Sequence, residues 1–124
     1  IIKKKLSVRQ AENLVKILSD FIIIRTRFFS KKEIIHTTAA TDIFTSMIEI
    51  NKLTKEIKNI STADFNGVIN IGDTKKSDFL NYKKYKKNIK PCSRNDIIKN
   101  LGFKIAKDAS MNLNLYKKIK KKYG

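Results

Sequence analysis

Apolar positions recur with helical spacing over much of this 124-residue chain. Val8, Leu14, Val15 and Leu18, with Ala11 on the same side, form the first such stripe. Ser7 stands before it and Gln10 three residues later, the arrangement in which each side chain satisfies the other's backbone N–H. The spacing predicts a helix over about 7–20. The character changes at 21–29, "FIIIRTRFF", where β-branched residues and the alternation of Arg25 and Arg27 fit a short strand or a buried continuation of the helix.

The longest periodic stretch follows Ser30 and Glu33, a second capping-box pair. Ile35, Ala39, Ile43, Met47, Ile50, Leu53, Ile57 and Ile60 step by three or four, predicting one long helix over about 31–59, bent near Asn51. Asn66-Gly67 signals a turn, Val68–Ile71 a short strand and Gly72-Asp73 its end. Helix resumes near Ser77 and stops before Pro91, since proline disfavours helical geometry in the residue it follows. Ser93 and Asp96 cap a further helix that Gly102 closes, and 104–122 reads as helix again. The expected fold is mainly α: a small helical domain with short strands at about 21–27 and 67–71. Its first segment, 1–73, contains the long amphipathic helix, and its second, 74–124, is a basic helical half.

Charge sharpens that division. The net charge is +17, but residues 1–73 carry 12 basic and 8 acidic side chains, against 16 and 3 in residues 74–124. A surplus of +13 in the second half suits a polyanion, because each lysine near a phosphate releases condensed counterions. Part of the Lys, Ile and Asn bias matches what an AT-rich genome imposes. The longest apolar run, Phe21–Ile24, is far too short for a membrane span, so no membrane partner is expected. Cys92 is the sole cysteine, which excludes an internal disulfide and a cysteine zinc cluster. A reducing, intracellular setting follows, cytoplasmic (nucleoid-associated) or organellar.

The inventory for catalysis is thin. His36 is the single histidine, with no second ligand at metal-binding spacing, and it reads as a surface or half-buried residue. Cys92 has no matching base, and the four glycines form no phosphate-cradling cluster. The expectation is a protein without catalytic residues, metal or cofactor.

The basic half offers more. "NYKKYKKNIK" interleaves Tyr82 and Tyr85 with Lys83, Lys84, Lys86, Lys87 and Lys90. The lysines can neutralise phosphates while exposed tyrosine rings stack on bases, or the rings can pack inward behind a solvated lysine face. The tail adds Lys117, Lys118, Lys120, Lys121 and Lys122. Residues 94–122 also have the outline of a helix-turn-helix, with Gly102-Phe103 as the turn and Asn112, Asn114 and Lys117 on the reading helix.

"IIKKKLSVRQAENLVK" resembles a helix of the ParB family of chromosome- and plasmid-partitioning proteins, through Leu6, Ser7, Val8, Arg9, Gln10, Glu12, Leu14, Val15 and Lys16. The likeness covers about the first 18 residues. It implies a DNA-binding protein working with a ParA-type ATPase, as a homodimer in that family, and a chain that is the C-terminal fragment of such a protein. Lys3, Lys4, Lys5 and Arg9 then join the later lysines as phosphate contacts. The competing expectation is a small RNA-binding structural component of a ribosome or another ribonucleoprotein, which length, charge and basic tail suit equally.

Overall fold

The computed structural model describes residues 7–123. It overturns the mainly helical expectation: the fold is α/β, with 38% helix, 21% strand and nine short strands in several small sheets among the described residues. Helix α1 spans Val8–Val15, and the Ser7–Gln10 capping box forms at both ends of its reciprocal pair, at 2.9 and 3.1 Å. Its apolar stripe does not enter the core. Val8 and Leu14 are exposed, and the chain leaves helical geometry before Ile17 and Leu18. What ties α1 down is Glu12, which accepts two hydrogen bonds from the Arg25 guanidinium at 2.8 and 2.9 Å.

The stretch 21–29 is extended. Strand β1 (Ile22–Arg25) pairs in parallel with β6 (Gly67–Asn70), and β2 (Phe28–Phe29) pairs in parallel with β5 (Ile48–Glu49). Thus both strands expected from the sequence form, and each finds its partner far along the chain.

The long helix over 31–59 is the main correction. Its first half is β3 (Thr38–Ala40), β4 (Phe44–Thr45) and β5, and only its second half is helix, α2 (Ile50–Thr62). Thr37, Thr38, Thr41 and Thr45, with Asp42 and Ser46, crowd this segment, and such side chains compete with helical backbone bonding. Residues 45–49 are buried consecutively, which a one-sided helix cannot do. The helix begins where Glu49 can cap it, its carboxylate accepting from the Asn51 N–H at 2.9 Å.

The second half is also less helical than expected. Strand β7 (Lys76–Ser77) leads into α3 (Asp78–Lys83), capped by Ser77, and β8 (Lys90–Cys92) leads into α4 (Arg94–Leu101), capped by Ser93 and Asp96. Gly102 closes α4 at φ +75°, as its position predicts. Residues 103–113 are then non-helical and contain β9 (Asp108–Ala109), so the final helix α5 runs only from Asn114 to Tyr123. The short turn of a helix-turn-helix is therefore not what joins α4 to α5.

Strand β3 pairs with β8 in parallel, while β4 is flanked by antiparallel β7 and parallel β9. The core is formed by Ile48, Leu53, Ile60, Ile69, Ile71, Leu113, Tyr116 and Ile119, so α2 and α5 cover the β1–β6 pair. Each large side chain so buried contributes about 1.5–3 kcal/mol of transfer free energy. Glycine is required at 72, where a Cβ would collide with the Ser46 carbonyl oxygen and crowd the Met111 methyl at 2.9 Å. At that crossing the Asp73 N–H donates to the same Ser46 carbonyl at 3.0 Å.

Candidate functional site

The lysines expected to face phosphate fall into two groups on different parts of the fold. Lys83, Lys84, Lys87 and Lys90 are exposed along the end of α3 and the approach to β8, on the side where α3 packs on β3. Lys117, Lys118, Lys121 and Lys122 are exposed on α5, whose opposite face lies on β6 and α2. None of these eight has a carboxylate within 4 Å among the described residues. Arg9 is exposed on α1, and Lys3, Lys4 and Lys5 lie outside the described residues.

Two lysines are engaged by groups of the protein itself. Lys86 donates to the carbonyl oxygens of Ile34 and His36 at 3.3 and 2.6 Å, fastening the segment before β3. Lys120 pairs with the buried Glu56 carboxylate at 3.0 Å.

The tyrosines separate as well. Tyr85 is at the exposed margin, its ring centroid 5.7 Å from that of Phe29. Tyr82 turns inward, edge-on to Phe29 at 5.4 Å and tilted against the His36 ring at 5.7 Å.

That inward turn makes Tyr82 part of an open cavity of about 550 Å³, the feature that reading along the chain does not find. Its polar lining is Arg27, His36, Thr38, Asp78, Tyr82 and Asn100. The rest is an apolar wall of Ala39, Ala40, Ile43, Ile97, Leu101 and Ile105. Arg27 comes from the link between β1 and β2, His36 from the segment before β3, Asp78 and Tyr82 from successive turns of α3, and the wall from β3, α4 and the residues that follow each. Arg94 braces that wall: its backbone N–H donates to the Asp42 carboxylate at 2.7 Å and its side chain to the Ile105 carbonyl at 2.7 Å.

Asp78 is the group whose setting is least ordinary. Its Oδ1 accepts from the Thr45 hydroxyl at 3.3 Å, and Oδ2 accepts nothing among the described residues. Burial pushes its carboxyl above the usual value, opposed by the charge of Arg27, the Thr45 bond and His36. Neither Arg27 nor His36 comes within 4 Å of it as an ion pair. Tyr82 is likewise pushed up, by burial first and then by the Asp78 charge. A half-buried carboxylate and a guanidinium that sense each other without touching can both be met by one ligand between them.

Lysines lie next to this cavity in the chain. Lys99 precedes Asn100, Lys104 precedes Ile105 and Lys107 follows Ala106, all three exposed, while Lys90 pairs with Thr38 in the β3–β8 ladder. No local spacing marks Lys99, Lys104 and Lys107 in the sequence. Each stands next to a lining residue because α4 and the segment after it contribute to the cavity. Among the described residues no group of three or more His, Cys, Asp and Glu side chains is placed to hold a metal ion, and no helix is long and apolar enough to cross a membrane. No family model matches the chain, and neither the curated proteins nor the solved structures include a match.

Proposed function

We propose that this chain is a non-catalytic nucleic-acid-binding protein that holds phosphates through exposed lysines of its second half. The observation that carries the reading is the +13 surplus of residues 74–124, together with eight exposed lysines there that form no ion pair among the described residues. A surface of that kind attracts a polyanion at long range and binds it by counterion release. DNA is the favoured polymer, because the capped helix α1 carries the resemblance to partitioning proteins; a ParA-type ATPase and self-association belong to that reading.

The test is a salt titration of binding to duplex DNA, single-stranded DNA and structured RNA. Expected is binding to DNA with log K falling steeply against log salt, and a slope that shrinks by roughly one for each contacting lysine replaced by alanine. Exclusive binding to structured RNA would move the protein to the ribonucleoprotein class. Failure to bind any of the three at low salt would sink the reading.

A further inference from the structure

The geometry points to a nucleobase site: we infer that the cavity between Arg27 and Asp78 receives one unpaired guanine of the strand held by the surrounding lysines. The inference rests on the nucleic-acid reading above and deepens it, from phosphate attraction to recognition of a base.

Three observations carry it. The cavity is large enough for a base and open to solvent on one side, with an apolar wall that includes the half-exposed Leu101. A base has two apolar faces, and such a wall, with the Tyr82 and His36 rings also in the lining, offers the stacking that single-strand binders use. Second, Asp78 Oδ2 is without a hydrogen bond among the described residues, and Arg27, whose charge Asp78 senses, lines the same cavity. Guanine alone among the bases presents two adjacent N–H donors, at N1 and the exocyclic N2, beside a carbonyl acceptor at O6. A carboxylate accepts from both donors while a guanidinium donates to O6, so the Asp78–Arg27 pair is matched group for group. Thymine offers one N–H between two carbonyls that a carboxylate repels. Adenine and cytosine each place a ring-nitrogen lone pair where guanine has a proton. Third, the basic half supplies Asp78, Tyr82 and the α4 part of the lining, with Lys83 following Tyr82 on α3 and Lys99, Lys104 and Lys107 next to lining residues in the chain.

Recognition adds no bond-making step. The base leaves the stack and exchanges water for Asp78, Arg27 and the apolar wall, a transfer that is cheapest for a base already single-stranded.

The experiment compares two fluorescent oligonucleotides of roughly a dozen nucleotides, a length within the usual site sizes of single-strand binders. One is all thymidine and the other carries a single central guanosine. The wild-type chain is expected to bind the guanosine-containing strand about tenfold more tightly, the discrimination of one good base contact. Asp78→Asn should abolish that preference, the two strands binding alike. Ala106→Trp, a substitution at an exposed position on the cavity lining, should do the same by occupying the space. Circular dichroism melts of both variants establish that the fold persists. Equal affinity of the wild type for the two strands, or a preference that survives both folded variants, overturns the guanine site and leaves the phosphate reading standing. Absence of binding to either strand, with duplex DNA and RNA also unbound, overturns both.

Discussion

Glu56 and Lys120, 64 residues apart, meet at 3.0 Å across the α2–α5 contact, with the carboxylate side chain 9% exposed and the ammonium 46%. One of the tail's lysines is therefore an internal partner, engaged by a carboxylate that also faces the core. Lys120 further donates toward the Tyr116 hydroxyl at 3.4 Å. Lys120→Ala is expected to lower stability by about 1–2 kcal/mol, since it weakens the pairing of a buried carboxylate. Its effect on the salt slope of DNA binding should be small. Lys121→Ala should do the opposite, with the slope reduced and the urea midpoint unmoved. Equal behaviour of the two variants would mean that Lys120 is as available as its neighbour.

At Gly72 the limit is space. Gly72→Ala places a methyl against the Ser46 carbonyl and the Met111 side chain. The backbone there cannot withdraw without breaking the Asp73–Ser46 hydrogen bond, so the expected loss is about 1–3 kcal/mol. A urea denaturation curve reads it as a lower midpoint with an unchanged m-value.

Stability should fall in acid, through exposed pairs that hold the edges together. Lys75 contacts Asp108 at 2.6 Å, and Ser110 also donates to that carboxylate, at 2.9 Å. These bonds keep the Asp108 carboxyl far below the usual range. Glu12 is lowered by Arg25, and Asp73 is lowered by Lys52 and the Thr74 N–H against its own desolvation. A carboxyl whose folded pKa lies below its unfolded value stabilises the protein above the unfolded pKa, and that contribution disappears as pH falls through the folded one. The melting temperature should therefore decline from about pH 4 downward, where free carboxylates begin to protonate. Asp108→Asn should flatten that decline and speed amide exchange in β9. An unchanged acid limb in this variant would remove Asp108 from the account.

Asp78 has the opposite sign. Its folded pKa is raised, so the folded state holds the proton more tightly and loses relative stability as pH rises through that value. Asp78→Asn, which keeps an oxygen for the Thr45 hydroxyl, is expected to melt at or above the wild-type temperature at pH 7. The difference should narrow as pH falls through the raised folded value toward that of a free carboxyl. A large loss of stability at pH 7 would show that the charged carboxylate is a structural requirement.

Local chemistry was the legible part of this fold. Ser7 with Gln10 and Ser93 with Asp96 mark helix starts because capping acts within four residues, and Gly102 marks an end for the same reason. The extended 22–25 and 67–70 were readable as strands from β-branched composition, but not that they pair with each other. The failure at 35–47 has a specific cause. Ile35, Ala39, Ile43 and Met47 repeat at a helical interval, yet Ala39, Ile43 and Met47 serve short strands and bends whose burial comes from tertiary neighbours. The Thr-rich composition of that stretch was the signal that opposed the periodicity. The cavity could not be read at all, since Arg27, His36, Asp78 and Leu101 belong to separate segments and no spacing rule joins them.

The pairing of strands also governs when this protein can become itself. Thr38 meets Lys90, Ile22 meets Gly67 and Phe44 meets Asp108, and no two strands adjacent in the chain pair with one another. A ribosome releasing the chain from its N-terminus therefore exposes Ile22–Ile24 long before Val68–Asn70 exists to cover it, and Phe44 waits still longer for β9. Such long-range closure makes folding slow and leaves apolar strands unshielded meanwhile. The cavity, whose wall is completed by residues beyond Leu101, is thus among the last parts of the molecule to form.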